Sequence, residues 1–304
     1  MSVFLIMRTK EKAYAKLNLA LKVGNKSDGY HELDSVVVTV DLYDTVTVET
    51  RRDDKIKLTP SGRREYVYNC SPLRDNAYKA AALFAEKYKT GGVNIYVHKA
   101  IPLGGGMGGS SADAAAVLKA MAKLYKTEDD LAPLANALGS DTAYQLDGGF
   151  ARLKGRGEII EKIDSKRLLH FVVVYSDNGV DTTECFAEFD KLSQPSLLSE
   201  SEIDAFAEFL KKSEPEEYSV FKQGLAACKN DLYKAACGLS PEVEKAFIAI
   251  EDLSPAAVFM TGSGGTVCGI YQEEPLARWA VDKLKRKGFS CEYLYSVNNR
   301  KDRK

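Results

Sequence analysis

The chain has 304 residues, 28% of them charged and 45% hydrophobic, and its 42 Lys and Arg nearly balance 43 Asp and Glu. That length is near the size at which one core divides, which predicts two modest domains. A formal net charge of −1 leaves no basic field for nucleic acid and no solvating acidic tail. The apolar run Val3-Phe4-Leu5-Ile6-Met7 stops at Arg8 and Lys10, too short for a secretion signal. No stretch approaches the roughly 18 apolar residues of a membrane span, so the expected setting is cytoplasmic, without a membrane partner. Cys70, Cys185, Cys228, Cys237, Cys268 and Cys291 are widely spaced with no CxxC, and only three histidines accompany them. Buried free thiols are expected, neither a disulfide framework nor a zinc site.

Residues 13–23 alternate apolar positions 15, 17, 19, 21 and 23 with Lys16, Asn18 and Lys22, predicting a strand with Lys16 and Asn18 on one polar face. Taken alone, Lys16 reads as a solvated strand charge. A turn at residues 25–29 leads to Tyr30-His31-Glu32-Leu33 and two more strand-like runs, 36–40 and 45–48. Residues 76–88 change to helical period, and 93–97 read as a strand.

The run Ile101-Pro102-Leu103-Gly104-Gly105-Gly106-Met107-Gly108-Gly109-Ser110-Ser111-Ala112 then precedes a helix predicted over 112–124. Glycines let several backbone N–H groups converge on one anion, and a helix start adds unpaired donors and a positive dipole end. A phosphate held over residues 106–112 is the expectation. The common P-loop does not explain the run, which lacks its closing Lys-Ser/Thr.

Asp141 lies in Gly139-Ser140-Asp141-Thr142-Ala143-Tyr144-Gln145, a segment that reads as too polar for a strand and too short for a helix. A cap or turn acceptor is the plain reading, and a carboxylate facing a substrate hydroxyl the alternative. Residues 170–175 read as a central strand with His170 structural. Helices are expected at 184–189, 205–212, 229–236, 241–251 and 276–287, with a polar loop over 192–201 and strands at 258–260 and 267–271. Between those last strands lies a second glycine loop, Thr261-Gly262-Ser263-Gly264-Gly265-Thr266.

Ala15-Lys16-Leu17-Asn18-Leu19, Asp28-Gly29-Tyr30-His31-Glu32-Leu33 and Asp41-Leu42-Tyr43-Asp44 form one block, and residues 102–116 form a second. Gly139-Ser140-Asp141, Gly148-Gly149, Gly155-Arg156-Gly157-Glu158, Asn230-Asp231-Leu232 and Thr261-Gly262-Ser263-Gly264 follow in order. In these motifs the chain resembles the GHMP kinases, the ATP-dependent superfamily named for galactose, homoserine, mevalonate and phosphomevalonate kinases, over residues 11–292. The Gly-Tyr-His element is the most specific and points to a branch acting on a cytidylyl polyol.

The resemblance implies an α+β fold of two domains. An N-terminal ATP-binding domain, 1–165, would be like domain 2 of ribosomal protein S5, and a C-terminal substrate-side domain, 166–304, would be a ferredoxin-like sandwich, with the active site in a cleft between them. It implies ATP and Mg²⁺, with the nucleotide on Lys99, Pro102, Gly104, Gly105, Gly106, Met107, Gly108, Gly109, Ser110 and Ser111, and Ser111 near the metal. Asp141 would orient and deprotonate the acceptor hydroxyl; Lys16 would keep Asp141 charged and stabilise the transferring phosphoryl group. Tyr30 and His31 would take the cytosine end against Phe186, with Asn18, Thr182, Gly262, Ser263 and Gly264 completing the substrate side. Monomer and homodimer both fit.

Several positions depart from the usual pattern. Ser110 stands for a glycine and Ala112 for a serine; Thr142-Ala143-Tyr144-Gln145 replaces Val-Pro-Phe-Phe; Ser176 and Asp181 replace a proline and a serine. Loss of the glycine matters only if that position needs a positive φ. The other changes are expected around the polyol and diphosphate, which leaves a different alcohol substrate, or a catalytically silent relative, as the alternatives.

Overall fold

The computed structural model describes residues 6–27, 29–62, 71–176, 179–192, 196–212 and 217–298. Val3 to Leu5, Asp28 and Cys70 lie outside them. The chain divides into two compact units that are discontinuous in sequence: residues 1–15, 42–103 and 108–147 form the first, and 16–41, 104–107 and 148–304 the second. Two long strands, β1 (Arg8–Ser27) and β2 (Tyr30–Thr50), run through both.

In the first unit β2 pairs antiparallel with β4 (Val93–Lys99), from Thr45 opposite His98 to Thr50 opposite Val93. The strand β3 (Lys57–Gly62) lies parallel on the other side of β4. As an edge strand it accommodates Pro60, which has no N–H for a further partner. Helix α1 (Asn76–Tyr88) starts at Asp75, whose carboxylate accepts from Ala77 N at 2.7 Å, and it buries Ala77, Ala80, Ala81 and Phe84 at helical spacing. It packs on α2 (Gly109–Tyr125), whose small residues Ala114, Ala115, Ala116 and Ala120 are fully buried. Two short helices follow, α3 (Ala132–Leu138) and α4 (Ser140–Asp147).

In the second unit β2 pairs with β5 (Phe150–Gly155), which pairs with β6 (Ile159–Lys162). A separate four-stranded antiparallel sheet has the order β10-β7-β9-β8, made of β7 (His170–Tyr175), β8 (Ala257–Met260), β9 (Thr266–Tyr271) and β10 (Cys291–Tyr295). Helices α5 (Thr182–Leu192), α6 (Glu200–Lys211), α7 (Tyr218–Gly224), α8 (Tyr233–Leu239) and α9 (Pro241–Glu251) intervene between β7 and β8, and α10 (Glu274–Arg286) between β9 and β10. With first, second, third and fourth strands in the order 4-1-3-2, this is the ferredoxin-like arrangement. The strand β7 is buried along its whole length, and its His170 bonds the Tyr293 hydroxyl at 2.7 Å within the sheet. Apolar residues of β7, α8, α9 and α10, including Val172, Val174, Ala235, Ile250, Ala280 and Leu284, form one core.

The fold is α+β, and several elements differ from expectation. Asp141 sits in the first turn of a true helix, because Thr142, Ala143, Tyr144 and Gln145 bury themselves and make eight residues sufficient. Helix α2 begins three residues before the expected start. Helix α8 begins at Tyr233 rather than 229, because the Asn230 side chain takes the Leu232 N–H that a helix would use. Helix α6 begins at Glu200 on a capping box, Ser199 with Glu202, that shortens the expected loop. Every described cysteine is free, and burial pushes the thiols up, Cys185 to about 12 and Cys291 to about 11. No helix among the described residues is long and apolar enough to cross a membrane.

Candidate active site

The glycine loop leaves β4 and reaches α2 through Gly104 (φ +65°), Gly106 (φ +71°) and Gly108 (φ +70°), a region open to glycine and strained for other residues. A side chain on Gly106 would also collide with the Thr261 carbonyl. Met107 is buried, and its carbonyl accepts from Lys16 N at 3.0 Å. Helix α2 has no side-chain cap and no acidic residue in its first turn, so its leading N–H groups remain for an anion. Ser110 and Ser111 lie inside that first turn, and Ser110 has no positive φ. The missing family glycine is therefore not missed: a serine fits helical backbone without strain.

Lys99 does not stand open to a ligand. It is 2% exposed, and its ammonium bonds Asp44 and, at 2.6 Å, Asp113. The second oxygen of Asp44 accepts from Ala100 N at 2.5 Å and Ile101 N at 2.8 Å, which fixes the exit from β4. Burial pushes Asp113 well above the ordinary carboxylate range, against the pull of Lys99, because two carboxylates share one ammonium in dry surroundings. Burial works against the Lys99 charge, but Asp113 and Asp44 outweigh it and raise its pKa. The triad lies under the start of α2, where a Cβ on Gly109 would come within 3.6 Å of Lys99 Nζ. A carboxylate inside the alanine run of α2 was the signal for it, since a buried charge requires a partner.

Lys16 and Asn18 share a strand face, but it is not solvated: they are 5% and 6% exposed. The Lys16 ammonium donates to Asn18 Oδ1, Asn18 Nδ2 donates to Ser35 Oγ at 2.7 Å, and the Ser35 hydroxyl donates to the Ala20 carbonyl at 2.7 Å. The Asn18 N–H donates to Thr261 Oγ1 at 2.8 Å. Asp141 is half-buried in α4.

In the second glycine loop Gly262 and Gly264 have φ of +59° and +116°, and the hydroxyls of Ser263 and Thr182 lie 2.8 Å apart. Asp181 caps α5 by accepting from Glu184 N at 3.0 Å, a task a serine also performs. The N–H of Ser176 donates to the Gly265 carbonyl at 2.6 Å, a bond a proline cannot make. Two of the departures are thus local backbone solutions. Residues 142–145 are buried in the first unit.

The aromatic cluster is assembled from distant residues. Tyr30 is 61% exposed, with the Arg156 guanidinium 4.5 Å from its ring centre. His31 stacks on Phe186 with ring centres 5.6 Å apart and planes at 24°. Both His31 nitrogens face acceptors, the Gly24 carbonyl at 3.0 Å and the Asp190 carboxylate at 2.7 Å, and Lys26 also bonds Asp190 at 2.6 Å. The ring edge is thus held by these acceptors, and the ring packs on Phe186 and, edge to face, on Phe189 at 5.7 Å. Arg156 stood in the Gly155-Arg156-Gly157-Glu158 motif without a role, and Asp190 escaped the sequence reading, because a charge on an exposed helix carries no distinguishing pattern.

The family model described as GHMP kinases N terminal domain matches residues 75–151, and that described as GHMP kinases C terminal matches 226–290. A 4-diphosphocytidyl-2-C-methyl-D-erythritol kinase of Bacillus cytotoxicus is 33% identical over 297 residues, covering 96% of each chain. A protein of Streptococcus equi subsp. zooepidemicus, named a putative kinase of the same substrate, is 32% identical over 94% of this chain and 97% of its own. A crystal structure of 4-(cytidine 5'-diphospho)-2C-methyl-D-erythritol kinase superposes with a TM-score of 0.75 at 29% identity, over 95% of this chain and all of that one. Homoserine kinase from Cytophaga hutchinsonii shares the fold at 17% identity, with a TM-score of 0.69 over 98% of this chain and 96% of that one. The chain belongs to the GHMP kinases, in the family of the 4-diphosphocytidyl-2-C-methyl-D-erythritol kinases.

Proposed function

We propose that this chain transfers the γ-phosphoryl group of ATP to the 2-hydroxyl of 4-diphosphocytidyl-2-C-methyl-D-erythritol, giving the 2-phosphate and ADP in the nonmevalonate route to isoprenoid precursors. The observation that carries the reading is the match, over 95–96% of the chain, to relatives named for that substrate. The retained residue types support it: a glycine loop feeding a helix start, an aspartate in Asp141, a lysine in Lys16 and the Tyr30, His31 and Phe186 aromatics.

In this reading Asp141 accepts the hydroxyl proton as the oxygen attacks phosphorus, and the bond to the β-phosphate oxygen breaks to release ADP. Lys16 and the first amides of α2 meet the charge spread over the transferring oxygens. No cluster of three acidic, His or Cys side chains among the described residues could cage a metal. Magnesium arriving on nucleotide phosphates needs only one or two protein oxygens, and the Ser111 hydroxyl in the first turn of α2 fits that need. When bound, the ion neutralises phosphate charge. Tyr30 and the Phe186 and His31 rings take the cytosine, and Thr182 and Ser263 the diphosphate or polyol. Residues 1–165 then serve as the ATP-binding domain and 166–304 as the substrate-side domain.

Purified protein with ATP, Mg²⁺ and the cytidylyl substrate, followed by phosphorus NMR, tests the assignment. A new phosphomonoester on the 2-oxygen is the expected product. Turnover of a different alcohol in preference, or ligand binding without turnover, would overturn it.

A further inference from the structure

The motif Asn230-Asp231-Leu232 has no part in the chemistry above, yet it uses every polar side-chain atom it has. Asn230 and Asp231 are 3% and 2% exposed and precede α8. The Asn230 amide donates to two carbonyls, Met260 and Gly262, each at 2.8 Å, while its oxygen accepts from Leu232 N at 2.9 Å. One carboxylate oxygen of Asp231 accepts from Val23 N at 2.8 Å and the other from Leu197 N at 2.7 Å. Backbone bonds add to these: Leu21 N donates to the Lys229 carbonyl and Asp231 N to the Leu21 carbonyl, both at 2.9 Å.

The dipeptide therefore joins two structures that the site depends on. Asn230 grips both sides of Thr261, at the entry to the second glycine loop. That loop sits hard against the phosphate loop: a Cβ on Gly262 would lie 2.6 Å from the Gly106 carbonyl oxygen. Asp231 and its backbone hold β1 at Leu21 and Val23, a few residues beyond Lys16 and Asn18. Neither side chain is replaceable by its near-isostere. An aspartate at 230 would aim oxygens at two carbonyls, and an asparagine at 231 would aim an N–H₂ at a backbone N–H.

We propose that Asn230 is a positioning residue for nucleotide binding, setting the curvature of the phosphate loop at Gly106 by holding the carbonyls of Met260 and Gly262. Asp231 holds β1 in register with it. The proposal rests on the kinase reading only in taking ATP as the ligand of the loop, and it is independent of which alcohol is phosphorylated.

The test is titration calorimetry on Asn230→Asp with Mg²⁺ and a non-hydrolysable ATP analogue, and separately with cytidine diphosphate, after a circular dichroism melt has established folding. The analogue should bind roughly 10–100-fold more weakly, and cytidine diphosphate should lose less, because its cytosine end rests on Tyr30, His31 and Phe186 and only its diphosphate meets Ser263 of the second loop. Asn230→Ser removes the amide without adding charge; it should shift the same ligand in the same direction, and it takes the place of Asn230→Asp if that variant does not fold. Unchanged analogue affinity in a folded variant, equal loss of both ligands, or failure of both variants to fold would overturn the proposal and leave Asn230 a purely structural residue. Wild-type protein that binds no cytidine diphosphate would count instead against the substrate reading, and the ATP analogue would still decide this one.

Discussion

Gly262 lies backbone to backbone against Gly106: a Cβ on Gly262 would stand 2.6 Å from the Gly106 carbonyl oxygen, and one on Gly106 would strike the carbonyl of Thr261, the residue before Gly262. Gly262 also has φ +59°. Gly262→Ala should therefore lose about 1–3 kcal/mol of stability and lower phosphoryl transfer at temperatures where the variant is fully folded. A melt and a rate within error of wild type would show that the two loops separate freely.

Position 110 gives the opposite expectation. Because Ser110 is helical, Ser110→Gly should bring no gain in turnover and should cost about 0.5–1 kcal/mol of stability. Ser111→Ala should raise the magnesium concentration needed for half-maximal rate while leaving the melt nearly unchanged. Identical magnesium titrations for Ser111→Ala and wild type would remove Ser111 from the metal's surroundings.

The buried Asp44, Lys99 and Asp113 triad makes stability depend on pH with a definite sign. Asp113 titrates well above its unfolded value of 3.8. Between those two values the native state keeps a proton the unfolded chain has released, so stability falls as pH rises across the window and levels off beyond it. Urea unfolding from about pH 5 to about pH 9 should show this fall in wild type and a shallower one in Asp113→Asn; parallel curves would contradict it. Lys99→Met should lose about 3–5 kcal/mol, because it leaves the buried Asp44 carboxylate without its ammonium.

For the chemistry, Asp141→Asn keeps the side-chain shape and removes the proton acceptor. Single-turnover transfer at saturating ATP should fall by roughly 10²–10⁴-fold with ATP affinity retained. Lys16→Met should also be severe in rate. Near-normal transfer by a folded Asp141→Asn would leave Asp141 a first-turn residue of α4 and nothing more.

Recognition of the cytosine end is separable from nucleotide binding. Tyr30→Ala should raise KM for the cytidylyl substrate and leave KM for ATP nearly unchanged, and Asp190→Ala should do the same more weakly, because it frees the His31 ring that Asp190 holds at 2.7 Å. Loss of ATP affinity with substrate affinity preserved would reverse the assignment.

The sequence by itself determined the elements whose signals are local. The alternation around Lys16 predicted β1, the alanine spacing predicted α1, and the helical period over 241–251 predicted α9 from end to end. The glycine and serine run before Ala112 announced a loop feeding a helix, and the motif spacing announced the family. The two-domain α+β fold followed from the family resemblance, whereas the division into units discontinuous in sequence had no local signal. What only the tertiary structure decided was the environment of charge and polarity. Lys16 reads as a solvated strand residue until packing buries it against Asn18. Lys99 reads as a nucleotide ligand until Asp44 and Asp113, 55 and 14 residues away in the chain, close around it. Asp141 enters a helix because residues 142–145 find a core to occupy. Backbone preference is set by neighbours in sequence, whereas the fate of a charge or an amide is set by whichever distant group replaces its water, and only the folded chain specifies that group.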